Sequence, residues 1–172
     1  MKRRHMLKTG LALGALPTVS WAQTPNWPQR PVRVIVPFAA GSFTETAARA
    51  IGQELSNTLG QPFVIDARPG AGTRIGTEAT IKAPKDGYTL GVAVSASGVS
   101  IPALDPKVTY DPLKDFTFLS LAFEAYFAIA AHPSVGVKTL DEFISLARAK
   151  PGSLNYATSG IGTSSHVWVE VF

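Results

Sequence analysis

The sequence predicts an α/β fold built around a parallel sheet. Three short runs of mainly apolar residues, 32–36, 63–65 and 89–94, have the length and composition of buried strands. The segments between them are predicted to be helices. Apolar residues recur at helical spacing over 44–59, and a glycine-rich turn enters a second helix at about 75–82. This βαβαβ order favours parallel strands with helices on the faces of the sheet.

Capping residues predict where the helices begin and end. Thr44 is the predicted N-cap of the first helix, Glu45 stands in its first turn and Gly60 is a natural stop. Further along, a capping-box pattern at 139–142 (Thr-Leu-Asp-Glu) predicts a helix that ends near residue 149. The helical segments are therefore bounded by residues that satisfy the free backbone groups at helix ends.

The second half of the chain contains further predicted strands. Residues 116–131 are apolar at almost every position, a length that suits two strand segments meeting near 123–125 better than one strand. Such a break would suit a crossing between two domains. Residues 154–157 form another predicted strand, which is followed by a hydroxyl-rich loop and the start of a helix.

The first 22 residues have the three-part plan of a secretory signal. A basic start (1–8) precedes an apolar run (9–19) and a small-x-small site at 20–22. The Arg3-Arg4 pair also resembles the twin-arginine export signal, R-R-x-F-L-K, with methionine where phenylalanine is usual. Either route delivers the mature chain outside the cytoplasm.

Charge and cysteine content narrow the classes of partner. The chain has 172 residues, a formal charge of +4 and no cysteine. The predicted signal carries four of the sixteen Lys and Arg and none of the twelve Asp and Glu, so the remainder is balanced. A balanced charge gives no reason to expect a nucleic-acid or anionic-membrane partner. Without disulfides, an exported chain depends on its core for stability.

One arrangement recurs at three places: a strand, a loop of small or hydroxyl residues, and a helix. It follows Phe38, Val94 and Ala157. In open α/β sheets, ligands bind outside the carboxyl ends of the strands. The first example, over 32–49, places free backbone N–H groups at a helix N-terminus, where the helix dipole favours negative charge. These loops are therefore predicted to bind a small anion.

Motifs spread over the chain resemble those of one family. They are PVRVIVPF at 31–38, LGQP at 59–62, RPGAG at 68–72, Gly76, APKDGYTL at 83–90, YDPLKDF at 110–116, His132-Pro133 and LNYATSG at 154–160. In this order they are similar to the Bug-type (TctC-like) substrate-binding proteins of tripartite tricarboxylate transporters. The match runs from about residue 27 to the last residue.

The resemblance implies a type II periplasmic binding protein-like α/β fold with two domains and a hinge. It implies a receptor for a small carboxylate, with a membrane permease as partner. The ligand classes that it implies are organic acids (di- and tricarboxylates, nicotinate-like or aromatic acids) and acidic amino acids. In that family, the loop after the first strand and a loop in the second domain hold the ligand carboxylate, largely through backbone groups and ordered water. Here these positions are 38–45 and 158–166. The candidate ligand-binding residues, including those of the loop after the third strand, are Phe38, Gly41, Ser42, Phe43, Thr44, Ser95, Ser97, Thr158, Ser159, Gly162, Thr163, Ser164 and His166.

The resemblance also divides the chain. We expect a signal peptide at 1–22, the N-terminal part of domain 1 at 23–122 and the start of domain 2 at 123–172. In the family, the chain returns from the second domain to complete the first. We therefore expect a fragment of a longer receptor, with a largely present first domain, an incomplete second domain and exposed apolar edges. The intact protein is expected to be a monomer in the periplasm.

The sequence departs from the family pattern at the first loop, which usually reads P-F-x-x-G-G-x-x-D. Ser42 replaces a glycine, which restricts the backbone if a positive φ is needed there. Glu45 takes the aspartate position, and Phe43 adds apolar surface. These changes bear on which ligand is bound more than on the class of protein to which the chain belongs. Arg68 and Arg74 could pair with a carboxylate ligand, although a structural role is favoured for arginines that flank a glycine turn.

The rival interpretation is an exported α/β hydrolase or transferase in which Ser164 or Ser165 works with His166. A receptor without enzymatic activity is favoured because the sequence has no G-x-S-x-G elbow. Gly160-x-Gly162 begins like a dinucleotide fingerprint, but the third glycine is absent. With three histidines, no cysteine and no paired spacing, no metal site and no cofactor are predicted.

Overall fold

The computed structural model describes residues 26–172. The predicted signal peptide at 1–22 lies outside the described residues. Within them, no helix combines the length and apolar character needed to cross a membrane.

Three parallel strands form the sheet of the described chain. They are β1 (Val32–Val36), β2 (Phe63–Ala67) and β3 (Thr89–Gly91), in the order β2-β1-β3. Val34 lies opposite Ile65 on one side and Leu90 on the other. The predicted parallel sheet is confirmed, with the first strand of the chain at its centre. The third strand is shorter than predicted, although Val92 N–H still donates to the Ile35 carbonyl at 2.9 Å.

Two helices cover the sheet. Helix α1 (Phe43–Leu59) packs on the face of Val32 and Val34, and α2 (Arg74–Ile81) packs on the opposite face, where Thr80 lies against Gly91. The later helices are α3 (Ile101–Leu104), α4 (Pro112–Asp115), α5 (Leu140–Ala149) and α6 (Ser164–Val171), with a π-helical turn at Ala96–Ser100 and 3₁₀ turns at Ala71–Thr73 and Pro133–Val135.

The core lies around the central strand. Val32, Ile35 and Val36 have no exposed surface. Each such side chain contributes about 1.5–3 kcal/mol relative to an exposed one. Because side chains alternate along a strand, Val32 faces α1 and Ile35 faces α2. Apart from the partly buried Arg33, β1 therefore has the apolar sequence expected of a strand that is buried on both faces.

The N-cap of helix α1 lies two residues earlier than predicted. Ser42, not Thr44, is the N-cap, and its hydroxyl accepts a hydrogen bond from Glu45 N–H at 3.2 Å. Both residues favour that position, and the extended backbone of Ser42 (φ −68°, ψ 158°) decides between them. The predicted stop is confirmed: Gly60 has φ 71° and ends the helix.

The capping box of α5 is also confirmed. Glu142 N–H donates to the Thr139 hydroxyl at 3.2 Å, and Thr139 N–H donates to the Glu142 carboxylate at 3.3 Å. These two bonds satisfy backbone donors that the helix itself leaves free. Local sequence thus determines this helix start independently of the sheet.

The strands predicted over 116–131 and 154–157 are wrong for the described structure. Neither segment pairs with another strand among residues 26–172. A strand requires a neighbour to accept and donate its ladder hydrogen bonds, and composition alone does not supply one. Leu119 and Tyr126 are consequently exposed, at 76% and 96%.

Replacing Gly76 by alanine should destabilise the packing of α2 on the sheet. A Cβ at Gly76 would lie 2.8 Å from Pro37 Cα and 2.9 Å from the Arg68 carbonyl oxygen, so backbone would have to shift. We expect a loss of about 1–3 kcal/mol in the free energy of unfolding, measured by urea denaturation. Gly98→Ala is the matched control because a Cβ there meets nothing within 4 Å. Equal losses for the two variants would contradict the close approach.

Candidate functional site

The candidate site lies at the carboxyl edge of the sheet. Because the strands are parallel, the segments that follow β1, β2 and β3 leave the sheet at the same edge. The loop at 158–163 also reaches this edge. A Cβ at Gly72 would overlap the Ile161 carbonyl, and one at Gly162 would overlap the Ile101 side chain. The Ser95 and Ser164 hydroxyls lie 2.6 Å apart and share a hydrogen bond.

The first loop turns at Gly41, which has φ 81°. Only glycine adopts this conformation without steric cost. The neighbouring Ser42 has an extended backbone, so serine at this position imposes no strain. The positive φ that the turn needs is therefore met by the remaining glycine, and Ser42 serves as the helix cap.

Glu45 completes this loop from inside α1. The residue is buried, with only 4% of its surface exposed. Its carboxylate accepts a hydrogen bond from Gly41 N–H at 3.2 Å and pairs with Arg49. The hydrogen bond from Arg49, followed by that from the Gly41 backbone, lowers the pKa of Glu45 below its ordinary value. The ionised carboxylate of Glu45 therefore stabilises the turn at Gly41.

The first turn of α1 retains free donors. The Glu45 N–H donates to the Ser42 hydroxyl, and the Thr46 N–H donates to the Ser42 carbonyl at 2.9 Å. Within residues 26–172, the backbone N–H groups of Phe43 and Thr44 have no hydrogen-bond acceptor. Both groups lie at the positive end of the helix dipole. The arrangement can hold a small anion through neutral backbone donors.

The hydroxyl-rich loop at 158–166 is cross-linked by its own side chains. The Thr163 hydroxyl donates to the Gly160 carbonyl at 2.6 Å and lies 3.1 Å from the Ser165 hydroxyl, while the Ser159 hydroxyl lies 3.0 Å from that of Ser165. Thr163 is the N-cap of α6 but makes no side-chain bond to its backbone. The start of α6 consequently lacks a side-chain cap.

The two serines after β3 have different roles. Ser97 is 1% exposed, and its hydroxyl accepts from Val94 N–H at 3.0 Å and donates to the Val94 carbonyl at 2.9 Å. Tyr110 donates to the Ser97 carbonyl at 2.9 Å, and burial raises the pKa of this tyrosine. Ser97 therefore shapes the turn, whereas Ser95 is exposed and reaches Ser164.

Phe43 makes a contact that sequence reasoning did not anticipate. Its ring lies edge-to-face against Phe123, with centroids 5.8 Å apart and planes at 82°. Phe38 is half-buried at the end of β1. Within the described chain, no hydrogen bond joins the 38–44 loop directly to 158–166. The structure thus joins the first loop to the segment around Phe123, and the second loop to the turns after β2 and β3.

Thr73 is a candidate residue that the sequence did not single out. It is 2% exposed, has φ 101° and precedes α2, and its hydroxyl has no partner within the described residues. A positive φ is uncommon for a β-branched residue. The sequence feature that could have pointed to Thr73 is the glycine-rich turn before it, in which Gly70 and Gly72 both have positive φ.

The two arginines that flank the glycine turn are engaged within the protein. Arg68 pairs with Asp66 at 2.9 Å, and Arg74 pairs with Asp105 at 3.2 Å and Glu78 at 3.7 Å. These pairs support the structural role favoured from the sequence. They also leave the anion-binding geometry to the backbone donors of the loops.

A Ser–His pair suited to nucleophilic catalysis is not formed among the described residues. The Ser164 hydroxyl bonds to Ser95, and the Ser165 hydroxyl bonds to Ser159 and Thr163. His166 Nε2 instead lies 3.8 Å from Glu170. Activation of a serine needs a hydrogen bond to the base, so this geometry gives no support to the hydrolase interpretation.

A separate open groove of about 550 Å³ lies beside α2. Its charged lining residues include Arg33 and Lys82. Arg33 lies 3.9 Å from Asp66, and Lys82 lies 2.9 Å from Glu78. The groove offers charges that are already paired, whereas the loop edge offers unpaired backbone donors. The latter is the better candidate for binding a small anion.

Three solved structures resemble this chain over most of its length. An R. palustris protein with adipate has a TM-score of 0.74 at 33% identity, covering 85% of this chain and 49% of that one. MatC from Rhodopseudomonas palustris with bound malate has a TM-score of 0.69 at 36% identity, covering 80% and 47%. The periplasmic binding protein BugD has a TM-score of 0.68 at 25% identity, covering 84% and 50%. The fold is therefore of the periplasmic binding protein class.

The family follows from the sequence comparison. The sequence model of TctC, described as the tripartite tricarboxylate transporter family receptor, matches residues 47–172. Curated relatives are 30–35% identical. The chain belongs to this receptor family, as its motifs indicated. It spans about half the length of the curated relatives it matches, from 43% to 53%.

Replacing Glu45 by glutamine should change how stability depends on pH. The lowered pKa means that the ionised carboxylate stabilises the fold at neutral pH, and that this contribution is lost as pH falls through the folded-state pKa. We expect urea unfolding to show a larger loss of stability between about pH 7 and about pH 3 for the native chain than for Glu45→Gln.

The matched control for this measurement is Glu54→Gln, an exposed glutamate on the same helix. It should leave the acid-induced loss close to that of the native chain. If the stability of Glu54→Gln and that of Glu45→Gln depended on pH in the same way, the stabilising role of the Glu45 carboxylate would be refuted.

Proposed function

We propose that this chain carries the two ligand-holding loops of a periplasmic solute receptor for a small carboxylate. The observation that carries the proposal is the start of α1 beside the Gly41 turn, where the Phe43 and Thr44 N–H groups have no acceptor within the described part of the chain. Carboxylate oxygens are natural acceptors for such groups, and the helix dipole favours their charge.

The charges around the loops support this ligand class. Arg68 and Arg74 are engaged with acidic side chains, and Glu45 is paired with Arg49. A ligand carboxylate would therefore be bound by neutral donors, because the guanidinium groups of Arg49, Arg68 and Arg74 are already paired. Binding through several neutral dipoles places the anion without leaving an unpaired buried cation when the ligand departs.

The comparisons support the same class. Two similar structures hold adipate and malate, both small carboxylates. The start of α6 has no side-chain cap and would supply a second set of backbone donors. The candidate residues there are Thr158, Ser159 and Gly162 in the preceding loop and Ser164 and His166 in the first turn of the helix. We propose that one carboxylate is held between this loop and residues 38–44.

We propose that the two parts of the chain belong to two domains that close on the ligand. Residues 23–122 would belong to the first domain and 123–172 to the start of the second, and ligand would favour the closed arrangement. In the intact receptor, a membrane permease would recognise that closed form. A monomer that binds and releases its ligand unchanged satisfies this role without a catalytic group.

Removing the Phe43 N–H should weaken carboxylate binding. Proline is favoured at the first position of a helix, and the extended Ser42 backbone accommodates a following proline. Phe43→Pro therefore deletes one donor without breaking α1. The matched variant Phe43→Ala removes the ring but keeps the N–H.

Adipate is the probe, titrated calorimetrically into the full chain. We expect Phe43→Pro to bind adipate about tenfold more weakly than Phe43→Ala, as expected for losing a hydrogen bond to a charged group. Equal affinities would show that this N–H does not contact the ligand. Failure of the native chain to bind any carboxylate would overturn the proposed function for this chain.

A further inference from the structure

We infer that the two parts of the chain, 26–122 and 123–172, close on each other at one small contact that forms when ligand is held. This closing contact joins three pairs of residues: Gly72 with Ile161, Ile101 with Gly162, and Ser95 with Ser164. The inference rests on the proposed function and assigns particular residues to the closing step.

Burial is the first argument. Among residues 123–172, all of which the structure describes, only Gly162 and Thr163 are buried. Gly162 lies against the side chain of Ile101, which is 5% exposed and begins α3 in the other part of the chain. The described second part therefore has no buried apolar side chain of its own, and its most buried backbone lies against the first part.

The close approach of two backbones is the second argument. A Cβ at Gly72 would overlap the Ile161 carbonyl and lie 2.8 Å from Ile101 Cδ1, and a Cβ at Gly160 would lie 3.7 Å from Gly72 Cα. Any side chain at position 72 would therefore hold the two parts apart. This contact needs glycine for the space between the parts, in addition to the positive φ of 62° at Gly72.

The polar link between Ser95 and Ser164 is the third argument. Among the described residues, it is the one hydrogen bond that joins 26–122 to 123–172. A bond between two neutral hydroxyls that water can reach contributes little net free energy, because water replaces either partner when the bond breaks. Ser164 is also the first residue of α6, so the same bond places the start of that helix at the sheet edge. The contact can therefore open without leaving a buried charge, and its closing brings the second set of backbone donors into position.

A cysteine pair tests this inference in the full chain, which has no cysteine of its own. The two hydroxyls lie 2.6 Å apart, so a small adjustment in Ser95→Cys/Ser164→Cys brings the sulfurs to the disulfide length of about 2.05 Å. Oxidised glutathione takes up the two electrons and two protons of the thiols and is itself reduced to two thiols. In a glutathione buffer, the ratio of disulfide to dithiol, read by mass spectrometry, then measures how far the closing contact is populated.

Adipate is the ligand probe. At saturation it should raise the disulfide-to-dithiol ratio about fivefold or more, and the disulfide should raise the adipate affinity by the same factor, since coupling between two equilibria is reciprocal. Calorimetric titration of the oxidised and reduced forms measures that affinity. Both comparisons are made within one variant, so any direct effect of the cysteines on the ligand cancels.

The control pair is Ser95→Cys/Ser153→Cys. Ser153 is an exposed serine of the second part, and its hydroxyl bonds to the Lys150 carbonyl rather than to Ser95. This pair should give a low disulfide-to-dithiol ratio that adipate does not change.

A matched pair of glycine variants tests the backbone approach. Gly72→Ala should lower the ratio of the Ser95→Cys/Ser164→Cys pair about fivefold, and on the native background it should weaken adipate binding by a similar factor. Gly60→Ala should change neither quantity. Gly60 has a similar φ of 71°, but a Cβ there meets nothing within 4 Å, so the two variants share the backbone strain and differ in the clash.

The outcomes separate the inference from the function on which it rests. If adipate binds the native chain but leaves the disulfide-to-dithiol ratio unchanged or lowers it, the contact does not belong to the closing step, and the receptor assignment stands. The inference is equally wrong if Gly72→Ala and Gly60→Ala weaken adipate binding to the same extent. If adipate does not bind the native chain, the proposed function fails together with the inference.

Discussion

The burial of β1 between two helices is the constraint on which the rest of this structure depends. Val32, Ile35 and Val36 lose all contact with water, and β2 and β3 pair with this strand from either side. Parallel pairing then forces the three following turns to one edge. Gly76 allows α2 to approach Pro37, so the same packing holds the turn after β2 in place. The candidate site is thus a consequence of strand direction and close helix packing.

The chemistry of this edge comes mainly from the backbone. Side chains such as Ser42 and Glu45 satisfy particular N–H groups, and their placement decides which donors remain for a ligand. The Phe43 side chain takes no part in the helix cap, and its ring contacts Phe123 instead.

Particular elements show how far sequence reasoning extends. The capping box at Thr139 and the stop at Gly60 were predictable because each depends on contacts within a few residues. The N-cap of α1 was misplaced because Ser42 and Thr44 are chemically similar, and only backbone conformation separates them. The strand predicted over 116–131 failed because pairing is a property of two segments, and the described chain provides no partner.

The sequence by itself determined the βαβαβ order, the family and the loops that could hold an anion. These features are local, since apolar periodicity, glycine turns and motifs are written in consecutive residues. Only the tertiary structure decided that Ser97 is buried in a turn, that Ser95 meets Ser164 and that Phe43 meets Phe123. Those contacts join residues up to 80 positions apart, as Phe43 and Phe123 are. Contacts between residues so far apart in the sequence depend on how the whole chain packs, and no local pattern encodes them.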